Sequence, residues 1–89
     1  MSEVSFTAFV LSLASAAAIH FGDVPDESGQ KSDPNLDGAA QMIDILSLLE
    51  EKTRGNLTIE ERQVLEQVLY ELRMRFIEVR DAAPRIIQP

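Results

Sequence analysis

Apolar residues recur along most of the chain at spacings of three and four, the spacing that gathers side chains on one face of a helix. In the first such stretch, Phe6, Phe9, Val10, Leu13 and Phe21 share a face, with Ala17 among them. The opposite face holds Ala8, Ser12, Ser15, Ala16 and Ile19, which are small and uncharged. A helix without a charged face is expected to be buried on more than one side. In the second stretch, Ala39, Met42, Ile43, Leu46 and Leu49 align, Ile45 widens the face and Leu48 falls off it. In the third, Leu65, Leu69, Leu72, Phe76 and Val79 align, widened by Val64 and Val68. Tyr70, Met74 and Ile77 form a second stripe nearly opposite that face.

End signals bracket each stretch. Ser5 can cap the first amides, and Gly22 can take the left-handed turn at the other end. The second helix is expected to start near Asn35 or Asp37, with Lys52 and Arg54 at its negative end and Gly55 closing it. Thr58-Ile59-Glu60-Glu61 is a capping box, in which the Thr oxygen and the Glu61 carboxylate each take one free amide. Helices are therefore predicted over about 5–21, 36–54 and 59–82. Glu71 and Arg75 are spaced for a salt bridge along the third helix. Pro84 is expected to end it, leaving a loose tail over 84–89.

The connections set the topology. Only Gly55-Asn56-Leu57 separates the second and third helices, which forces an antiparallel hairpin. The apolar first helix must then pack across it, giving an all-α, three-helix domain over residues 1–89. Residues 22–35, GDVPDESGQKSDPN, are a loop by composition, and Pro25 and Pro34 exclude a continuous helix through them. This loop is expected to be flexible.

Eighty-nine residues make at most one domain, with a modest core. There is no cysteine, so neither a disulfide nor a thiolate-bound metal supplements that core. Burial against a partner is one way to do so. The net charge of −7 disfavours binding to nucleic acid. It is uneven: residues 23–37 hold five acids and one lysine, whereas residues 59–89 hold six acids and five arginines. The acidic excess thus belongs mainly to the loop, and the mixed third helix reads as a solvated face. Residues 6–19, FTAFVLSLASAAAI, resemble the apolar part of a secretion signal, and Ala14-Ser15-Ala16 a cleavage site. The only charge ahead of them is Glu3, of the wrong sign for a leader, and the run is short for a membrane span. The expectation is a retained helix in a cytoplasmic protein.

Candidate chemistry is sparse. His20 is the only histidine, and no His-x-x-x-His or Glu-x-x-His pattern accompanies it. It reads as structural. Glu50-Glu51 and Glu60-Glu61 flank the hairpin turn, where capping explains them better than acid–base work. The loop acids lack the ordered ligand spacing of a calcium loop. Arg73, Arg75 and Arg80 are interleaved with Glu71 and Glu78, which argues against a basic patch. No Gly-rich phosphate loop, Ser-centred elbow or Cys–His pair is present. No cofactor, metal site or catalytic activity is expected.

The opening SFTAFVLSLASAAAIHFG, the centre QMIDILSLLEEKTRGNLTIEE and the following LEQVLYELRMRF resemble the bacterial family of domain of unknown function 1844. The most specific segment is Glu51-Lys52-Thr53-Arg54-Gly55-Asn56-Leu57-Thr58. The resemblance implies a small helical cytoplasmic protein, and it brings no catalytic residues to these positions.

The leading functional expectation is a homo-oligomeric protein-interaction module, most simply a homodimer. Its candidate interface is Ala8, Ser12 and Ala16 with Tyr70, Met74 and Ile77, the apolar or small faces left over once the hairpin core is filled. The alternatives are a small regulatory or adaptor subunit of a larger cytoplasmic assembly and, third, an enzyme of unrecognised type.

Overall fold

The three stretches fold as helices whose ends are fixed by their own side chains. The computed structural model describes residues 4–31 and 33–82. Helix α1 spans Phe6–Phe21, α2 Leu36–Thr53 and α3 Ile59–Ala82. Ser5 Oγ accepts from the Ala8 amide at 3.0 Å, and Asn35 Oδ1 accepts from the Gly38 amide at 3.0 Å. The capping box at α3 closes in both directions. Thr58 Oγ1 accepts from the Glu61 amide at 3.1 Å, and Glu61 Oε1 accepts from the Thr58 amide at 2.8 Å. At the end of α1, Gly22 turns left-handed with φ of 80°, and the following Asp23 amide reaches back to the Ala18 carbonyl. That pattern satisfies the last carbonyls of the helix.

α2 and α3 form the expected antiparallel hairpin, and α1 packs across it, touching both. The core lies where the three helices meet. Val10, Ala17 and Phe21 come from α1, Ala39, Ile43 and Leu46 from α2, and Leu65, Leu69, Leu72 and Val79 from α3. Phe6, Leu13, Met42, Leu49, Val64, Val68 and Phe76 pack around this centre and are partly covered. No polar or charged side chain is buried among the described residues.

The structure corrects three expectations. α1 is buried along one side only: Ala8, Ser12 and Ser15 are exposed, because neither of its two neighbours reaches that face. Phe9, expected in the core, lies at the edge of the contact and is 48% exposed. Arg75 does not pair with Glu71. Its guanidinium forks onto the Asp23 carboxylate, with Nε to Oδ2 at 2.8 Å and a second bond from Nη2 to Oδ1, and it also reaches Glu78 at 3.4 Å. A two-pronged pair outcompetes a single contact along the helix. Glu71 accepts from Gln67 Nε2 at 3.0 Å instead.

The loop between α1 and α2 has internal order. Asp26 Oδ1 accepts from the Ser28 and Gln30 amides, an Asx-type turn. The Asn35 amide donates to the His20 carbonyl at 2.6 Å, joining the end of α1 to the start of α2. The tail expected over 84–89 lies outside the described residues.

Candidate functional site

The most conspicuous surface feature is the stripe on α3. Tyr70, Met74 and Ile77 are 62%, 44% and 42% exposed. Their spacings of four and three hold them on one helix face over about 10 Å, at 1.5 Å of rise per residue. The core-facing Leu69, Leu72 and Val79 fix the roll of α3, so this stripe must turn outward.

It opens on the α2 side of α3. Tyr70 and Met74 line an open groove with Glu50 and Arg54 of α2 and with Glu66, Leu69 and Arg73 of α3. Ile77 lines the continuation with Ala40, Ile43, Asp44, Arg73 and Phe76. Arg73 thus stands between the two apolar parts. Its Nη2 donates to Ser47 Oγ on α2 at 2.8 Å, and no carboxylate lies within ion-pair distance of it among the described residues. Glu50 is occupied by Arg54 through two hydrogen bonds, which hold its carboxyl below the usual carboxylate range.

The other candidate residues lie elsewhere. Ala8 and Ser12 are exposed and Ala16 half-buried, on the side of α1 turned away from the core. Ser12 Oγ donates to the Ala8 carbonyl at 3.0 Å, so its polarity is partly spent within the helix. α1 meets α3 along a different groove, in which Leu11 faces Val64, Gln67, Val68 and Glu71. The small face of α1 and the large stripe of α3 therefore open on different sides of the bundle, and the structure does not bring the six residues together.

His20 is half-buried where α2 begins. A Cβ on Gly38 would sit 2.6 Å from His20 Nδ1, so the glycine is what admits the imidazole against the helix. This is a packing role. Among the described residues no group of three or more His, Cys, Asp or Glu side chains converges as a metal site would require. No helix among them is long and apolar enough to cross a membrane.

Sequence reasoning missed the Asp23–Arg75 fork, which lines up the loop with the C-terminal half of α3. The guanidinium hydrogen bonds hold Asp23 below the usual carboxylate range and raise Arg75 further above its own. Partners 52 residues apart leave no local signal. Phe9 and Leu11, both about half exposed, were also missed as surface groups. Only the placement of α2 and α3 decides how far they are covered.

Comparison with curated proteins and with solved structures gives no match. A family model described as a domain of unknown function, DUF1844, matches residues 3–78, which take in α1, α2 and all but the last turn of α3. The chain belongs to that family.

Proposed function

We propose that this protein is a non-catalytic, cytoplasmic interaction module that works as a homo-oligomer, in its simplest form a two-fold dimer. One observation carries the reading: a folded helix whose core face is already satisfied presents three large apolar side chains, Tyr70, Met74 and Ile77, in a row to solvent. Single exposed apolar residues are ordinary, but a row on a rigid helix costs solvation along its whole length and is relieved by a partner. A small core adds to the argument, since contact with a second copy supplements burial that 89 residues supply only sparingly. A two-fold contact uses the same patch twice and closes on itself, so it ends in a dimer and not a fibre.

Sedimentation of the wild type across concentration tests this. A dimer is expected at tens of micromolar, on the order of a weak-association constant. Ile77→Glu, which places a charge in the stripe, should yield a folded monomer, with helicity checked by circular dichroism. Ala16→Glu, on the face of α1 that opens elsewhere, should leave such a dimer intact, and a monomer there would move the contact to α1. A wild type that stays monomeric at that concentration refutes the proposal, and one stoichiometric larger protein captured with it would support the adaptor reading instead.

A further inference from the structure

The charges beside the stripe define how a second copy would dock, an inference that rests on the homo-oligomer reading above. Glu66 and Arg73 are seven residues apart, nearly two full turns, so they sit on the same flank of α3. Both line the groove that holds Tyr70 and Met74. Neither makes a direct ion pair among the described residues: Arg73 is hydrogen-bonded to the neutral Ser47, with Glu50 near enough to feel its charge, and Glu66 is hydrogen-bonded to nothing. Too far apart along the helix to pair with each other, they are complementary to a second copy of themselves.

A two-fold axis perpendicular to α3 sets two copies of the helix antiparallel and brings like flank to like flank. Residues at equal distances on either side of the axis then face one another. The midpoint of Glu66 and Arg73 falls beside Tyr70, the most exposed of the three stripe residues. We propose that two copies dock antiparallel along α3 about an axis at Tyr70, with Arg73 of each copy on Glu66 of the other. The two Tyr70 rings meet near the centre, and Met74 and Ile77 extend along the second copy's helix beyond its Glu66, toward the N-terminal end.

A competing register, centred near Met74, would place Tyr70 against Ile77 and so match apolar groups better. It also sets Arg73 against its own copy and Glu66 against Asp81. Like charges face to face at an interface reject a register even where apolar area favours it. The charges therefore select the Tyr70 register.

Charge exchange tests this directly. Glu66→Arg and Arg73→Glu each create two like-charge contacts in the Tyr70 register and should raise the dimer dissociation constant at least tenfold by sedimentation equilibrium. The double variant, with both charges exchanged, should return to within about threefold of the wild type (fold-changes set by the size of close interfacial charge couplings). An equimolar mixture of the two single variants should form a heterodimer tighter than either homodimer. Glu66→Arg removes no hydrogen bond within the chain, so it decides the matter even if Arg73→Glu fails to fold. A dimer indifferent to Glu66→Arg, or a folded double variant that stays dissociated, overturns this register and leaves the homo-oligomer reading standing. A wild type monomeric at tens of micromolar, on the order of a weak-association constant, overturns both.

Discussion

Individual residues fix the ends of the helices and the closest approach between them. Thr58 and Glu61 each satisfy one amide that the first turn of α3 leaves free. Thr58→Ala is expected to cost about 1 kcal/mol, the usual size for a lost cap. Urea unfolding should show a lower midpoint at an unchanged slope, and an unchanged midpoint would mean that water replaces the hydroxyl. Gly38 is the more informative position. Within a helix, alanine is ordinarily better than glycine by about 1 kcal/mol. Here the added methyl would meet His20 Nδ1 at 2.6 Å and Asn35 Nδ2 at 2.8 Å. Gly38→Ala is therefore expected to destabilise, by roughly 1–3 kcal/mol as overpacking does. Coupled to His20→Ala the same change should turn neutral or stabilising. A thermal or chemical denaturation cycle over the four proteins would show this change of sign, and its absence would mean that the imidazole moves aside freely.

At the scale of elements, the Asp23–Arg75 ion pair holds the start of the loop between α1 and α2 to α3. Asp23 titrates below the ordinary carboxylate value because the Arg75 guanidinium hydrogen-bonds its charged form. A carboxyl whose value is lower folded than unfolded adds stability above the unfolded value, about 3.9 for Asp, and loses it as pH falls through the folded one. Asp23→Asn should then be less stable than the wild type near neutral pH, with the gap closing as pH drops below about 4. The pair is partly exposed, with side-chain exposures of 41% and 34%, so solvent screens it and the gap should stay below about 1 kcal/mol. A gap that does not change with pH would show that the carboxylate charge contributes nothing to this contact. Amide exchange over residues 24–31 should also quicken in the variant, since the fork anchors the start of that segment.

For the molecule as a whole, stability rests on one shared centre. Leu46 is fully buried where all three helices meet. Leu46→Ala is expected to cost 2–5 kcal/mol, the range for buried leucines, which is a large part of the total for a small domain. Loss of cooperative thermal unfolding at ambient temperature would be the extreme outcome, and a loss under about 1 kcal/mol would show that the bundle collapses into the gap. If the protein is a dimer, its melting temperature must also rise with protein concentration, because association stabilises the folded state by mass action. Scanning calorimetry over a hundredfold concentration range reads this without any mutation.

Much of this molecule was settled within a few residues of chain. The caps at Ser5 and Thr58, the left-handed turn at Gly22 and the three-residue turn after Arg54 are contacts between near neighbours, and the sequence alone placed them, while of the two starts it left open for α2 the structure takes Asn35 as the cap. The angle of Tyr70, Met74 and Ile77 from Leu65, Leu69 and Leu72 is likewise set by helix geometry, but only the packing decides that α1 leaves them uncovered. What a helix's own sequence lacks is the position of its neighbours. Phe9 lies on the apolar side of α1 and yet stands half exposed, since α2 and α3 leave that edge open. Arg75 leaves a partner one turn away for Asp23, 52 residues distant, because the fold sets the start of the loop against α3 and two-pronged pairing is stronger. The two faces of α1 and α3 offered as one candidate interface lie on either side of the contact of α1 with Val64 and Val68. Angles about a helix axis are local and readable from residue order, whereas the side on which each neighbour stands is decided only when three helices compete to cover one core.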